Sequence, residues 1–65
     1  MIPEIDIWRV AHLMLKRYGD KAETESAIRA EDLAEVGDWV GEAIWRLIID
    51  AIGQLENTIP PGPLH

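Results

Sequence analysis

The chain has 65 residues, no cysteine, and twelve acidic against six basic side chains, for a net charge of −6. That length allows one domain and buries only about 60% of the unfolded surface. Disulfides are excluded, the lone, distant His12 and His65 argue against a structural metal, and the acidic balance disfavours nucleic acid and anionic membrane surfaces.

The N-terminus Met1-Ile2-Pro3 leads directly into a charged amphipathic segment. No signal peptide is therefore expected, and the expected compartment is the cytoplasm. The first predicted helix covers 3–18. Pro3 suits its first position because the missing N–H would be unpaired there. Glu4 and Asp6 complement the positive end of the helix dipole, and Lys16 and Arg17 complement the negative end. Its apolar face is Ile7, Trp8, Val10, Ala11, Met14, Leu15 and Tyr18. Arg9, His12 and Lys16 share the wet face, and Leu13 lies toward it.

Gly19-Asp20 separates this helix from a second, predicted over 20–36. Glycine takes the left-handed conformation at a helix C-terminus without steric cost. Asp20, with Glu23 three residues later, resembles a capping box. The buried face of the second helix is small: Ala22, Ser26, Ala27, Ala30, Leu33 and Ala34. Glu25, Glu31, Asp32 and Glu35 form a charged face from which Ile28 projects.

Gly37-Asp38 repeats the punctuation, and the most apolar segment follows, a helix predicted over 38–56. Val40, Ala43, Ile44, Leu47, Ala51 and Leu55 fall on one side of it. Trp45, Ile48, Ile49 and Ile52 fall beside them. The apolar arc covers roughly two-thirds of the circumference, wider than a surface helix needs. Only Glu42, Arg46 and Asp50 mark a polar strip, and Trp39 opens the helix on that strip. Such an arc needs neighbours on both sides or a second chain. A membrane span is rejected because Arg46 and Asp50 interrupt the run.

After Leu55 the pattern stops, and three prolines in 57–65 exclude a helix. The expectation is an extended, partly polyproline tail. Either Ile59 and Leu64 pack back on the domain or the tail is loose.

Lys16-Arg17-Tyr18-Gly19-Asp20, Arg29-Ala30-Glu31-Asp32-Leu33, and Gly37-Asp38 followed by Gly41, Trp45-Arg46, Ala51-Ile52 and Leu55 resemble a family of short bacterial proteins. That family has no assigned function. The resemblance runs from Trp8 to the proline-rich end. It implies a helical fold and a bacterial source, and it implies no activity, cofactor or site residue.

Catalytic patterns are weak. Ser26 is the only serine, and its spacing suits helix packing better than a nucleophile. Glu31 and Glu35 share a helical face that reads as solvated rather than as an acid/base pair. No Glu-x-x-His pair and no glycine-rich phosphate loop occur. His12 reads as an ordinary surface or boundary histidine.

The expectation is an all-α three-helix bundle over 1–56 with an extended tail over 57–65. It is expected to be non-enzymatic, to carry no cofactor or metal, and to bind neither nucleic acid nor membrane. The expected function is protein–protein interaction or self-assembly, as a homodimer through helix 38–56. The candidate interface residues are Trp39, Trp45, Ile48, Ile49 and Ile52. For Trp39 two readings stand: folding back onto the turn or second helix, or anchoring a partner. The alternative function is a helix-turn-helix DNA-binding regulator, which the net charge disfavours.

Overall fold

A computed structural model describes residues 4–58. Among them every regular element is helical: α1 (Glu4–Tyr18), a 3₁₀ turn (Gly19–Lys21), α2 (Ala22–Glu35) and α3 (Trp39–Thr58). The expectation of three separate helices is corrected. The helical residues form two uninterrupted runs, 4–35 and 39–58. The reason lies at Gly19-Asp20, where the chain tightens into one 3₁₀ turn and passes directly into α2 without a loop. The first run is nevertheless jointed, because Gly19 has φ +59, which an unbroken α-helix does not contain. α3 runs on to Thr58, so the tail expected from 57 is helical over its first two residues, and from Ile59 onward it lies outside the described residues.

α1 and α2 both pack against α3. The core is made by Ile7, Ala11 and Met14 of α1, Ala22 of α2, and Ile48, Ala51 and Ile52 of α3. The predicted apolar face of α1 is thus the buried one. Trp8, Val10, Leu15 and Tyr18 pack partly buried around it, and Leu13 stays exposed. α2 buries Ala22, Ser26 and Ala30, all small. Small side chains bring its backbone close, so bulky residues must come from the opposite helix. Ile48 and Ile52 supply them at 2% and 0% exposure. Fully burying one such side chain contributes about 1.5–3 kcal/mol. The Ser26 hydroxyl is buried with no hydrogen-bond partner among the described residues, so it contributes shape rather than bonding.

The α2–α3 turn is held by backbone geometry. Gly37 has φ +79. Its N–H donates to the Ala34 carbonyl at 3.1 Å, and the Asp38 N–H donates to the Leu33 carbonyl at 2.8 Å. This paired pattern satisfies carbonyls that the end of α2 would otherwise leave free. Asp38 then opens α3: its Oδ1 accepts from the Gly41 N–H at 2.9 Å, and its carbonyl accepts from the Glu42 N–H at 3.0 Å. A Cβ at Gly41 would stand 2.8 Å from Asp38 Oδ2 and 3.0 Å from Leu33 Cδ1. A side chain at this position would push against the Asp38 carboxylate that forms the cap and against Leu33 at the end of α2.

Asp20 does not do the same at the first joint. Neither Tyr18, before the 3₁₀ turn, nor Lys21, before α2, caps by a side chain, and Asp20 lies inside the turn. The expected capping box with Glu23 is not formed, because the helical path continues through Asp20 instead of starting after it.

Candidate interaction surface

The five candidate interface residues do not share one surface. Ile48 and Ile52 are in the core of the chain itself. Ile49 and Trp45 are half-buried, and Trp39 is 69% exposed. The wide apolar arc of α3 is divided along a different line from the one periodicity draws. Its Ile44–Ile48–Ile52–Leu55 side turns toward α1 and α2. Val40, Ala43 and Leu47, grouped by periodicity with Ile44, Ala51 and Leu55, are exposed, whereas those three pack in or against the core.

The outward strip reads Trp39, Val40, Ala43 and Leu47, at helical spacing on one face. Val36, at the C-cap of α2 just before the turn into α3, is exposed as well. Exposures of 77% for Val36, 72% for Val40 and 56% for Leu47 show how little of it the chain covers. Contiguous exposed apolar residues with a polar rim mark interaction sites more often than scattered ones do. The rim is ordered: Arg46 Nη2 donates to Glu42 Oε2 at 3.1 Å, and Gln54 Nε2 donates to Asp50 Oδ2 at 3.1 Å. Glu35, Asp38 and Asp50 are exposed around it. Sequence reasoning missed Val40 and Leu47 because the whole arc is apolar. Only the small face of α2 and the position of α1 select which part is covered.

Trp45 has a structural setting. The Arg29 guanidinium lies 5.4 Å from its ring centroid, and Arg29 Nη2 donates to the Tyr18 hydroxyl at 3.3 Å. One α2 side chain thus ties the end of α1 to the middle of α3. A cation over an indole face contributes about 0.5–1 kcal/mol at exposed sites.

Charge is segregated. α2 carries five acids against Arg29 alone. α1 carries Arg9, Lys16 and Arg17 against Glu4 and Asp6 at its start. An open groove of about 300 Å³ on α1 is lined by Val10, Leu13, Tyr18, Lys16 and Arg17, with Met14 and Arg29. A second, of about 500 Å³, lies between Ile5, Trp8, His12, Leu13 and Leu55, with Arg9 at its edge. At the other end of α3, the Glu56 carboxyl is held above the usual glutamate range. A hydrogen bond with Glu23 is the main cause, followed by desolvation and by the negative charges of Glu23 and Asp20.

Among the described residues, no group of three or more His, Asp or Glu side chains is placed to hold a metal ion. No helix among them is long and apolar enough to cross a membrane. No family model matches the chain, and no curated protein or solved structure matches it either.

Proposed function

We propose that this chain is a non-enzymatic protein-interaction module that self-associates through the outer face of α3. The observation that supports the reading is the exposed α3 strip of Trp39, Val40 and Leu47, with Val36 exposed just before it, on a chain whose core is built largely of alanine and isoleucine. The surface differs from the one that periodicity alone suggests: Trp39 stays in it, Val40 and Leu47 enter it, and Ile48 and Ile52 leave it. A tryptophan flanked by aliphatic side chains is the composition from which interface anchors are drawn.

The test is the solution mass by light scattering over a dilution series, for the wild type and for Val40→Glu and Leu47→Glu. The wild type is expected to exceed monomer mass at micromolar concentration. Both variants are expected to be monomers with unchanged helical circular dichroism, since neither side chain serves the core. A wild type that stays monomeric throughout, or folded variants with wild-type association, would overturn the proposal.

A further inference from the structure

The surface that receives the outer face of α3 can also be read from the molecule, on the premise that this face self-associates. Two such faces set against each other would bring Glu35, Asp38 and Asp50 of one copy toward the same acids of the other. The single base on the strip, Arg46, is already engaged by Glu42 at 3.1 Å. Like charges apposed across an interface disfavour pairing. Elsewhere on the chain the complementary surface exists. The α1 groove combines Leu13, 60% exposed, and Val10 with the cations Lys16 and Arg17. Neither cation has an acidic partner at ion-pair distance among the described residues, although the chain has twice as many acids as bases. Arg17 lies against the adjacent Tyr18 ring, 5.9 Å from its centroid. Apolar anchors and unpaired cations on α1 therefore match apolar anchors and exposed acids around α3.

We infer that the acid-rimmed face of α3 in one copy docks on the Leu13–Lys16–Arg17 groove of α1 in the next, a head-to-tail contact rather than a two-fold one. Such a contact leaves one groove and one face free at the ends of each assembly. Mass therefore grows with concentration unless the rotation between copies closes a ring. Pairing of unlike charges at the rim also makes association salt-dependent.

The experiment uses the full chain and two variants, Lys16→Glu/Arg17→Glu in the groove and Val40→Glu in the face. Each is checked for helical content and weighed alone and mixed. Head-to-tail docking predicts that each variant alone is monomeric and that the mixture gives a 1:1 heterodimer, because one intact groove meets one intact face. Wild-type association should weaken roughly tenfold between low and high salt. Should the charge reversal not fold, Lys16→Gln/Arg17→Gln serves instead, with weakened association expected. A folded groove variant that associates like the wild type, while Val40→Glu does not, would overturn the groove and leave the α3 face standing. Two monomeric variants that fail to pair would overturn the head-to-tail contact. A monomeric wild type would remove both readings.

Discussion

The same dipeptide, Gly-Asp, stands at both joints of this chain, and the two joints are built differently. Gly19 and Gly37 both have positive φ. After Gly37, the backbone closes on Ala34 and Leu33 and Asp38 caps α3 through Gly41. After Gly19, the chain passes through one 3₁₀ turn, and Asp20 caps nothing. The second joint is held by groups within nine residues of one another. The first is held by Arg29, which reaches back to Tyr18 and across to Trp45. A turn signal thus specifies that the chain bends, while the partners it finds decide how the bend is fixed.

Breaking the second joint should have the largest effect. Gly37→Ala places a Cβ in the left-handed region and is expected to cost about 1–2 kcal/mol, read as a lower urea midpoint with an unchanged slope. Asp38→Ala removes a formed cap and should cost about 1 kcal/mol, whereas Asp20→Ala should change stability by less than about 0.5 kcal/mol. Equal losses at the two aspartates would show that the joints are equivalent after all.

The first joint is tested through its long-range tie. Arg29→Ala should cost about 0.5–1 kcal/mol and alter the fluorescence of Trp45, whose face Arg29 covers. A similar comparison separates the two glycines within α3. At Gly53 a Cβ meets nothing within 4 Å, so Gly53→Ala should stabilise by up to about 1 kcal/mol. At Gly41 the Cβ would displace the Asp38 cap, and the gain from helix propensity should be lost.

The smallest effect is a titration. The Glu56 carboxyl is raised in the folded chain, so the native state holds more protons than the unfolded one just above the ordinary carboxylate range. Stability should therefore fall slightly as pH rises through that window. Glu23→Gln removes the negative partner and should bring the Glu56 midpoint, followed by carboxyl NMR shifts, back down. Asp20→Asn should lower it less. An unmoved midpoint would detach Glu56 from the first joint.

Much of this protein was determined by the sequence alone. The helical periods, the positions of both glycine breaks, the small face of α2, the buried face of α1 and the Asp38 cap all follow from residues within a few turns of one another. The over-wide apolar arc of α3 was equally legible, and the structure covers only part of it, leaving Val40 and Leu47 exposed. The sequence could not say which part of that arc turns inward, because Ile48 and Leu47 have nearly the same hydrophobicity and differ by one helical step. That choice was made by tertiary packing. The alanine-lined face of α2 and the Ile7–Ala11–Met14 face of α1 leave a space that Ile48 and Ile52 fill, and the rotation that seats them puts Val40 and Leu47 outside. The fate of Asp20 was settled in the same way, since its backbone entered a helical turn before its side chain could cap one. Periodicity counts apolar residues around an axis. Close packing of large against small side chains decides the rotation, and with it which surface is left exposed.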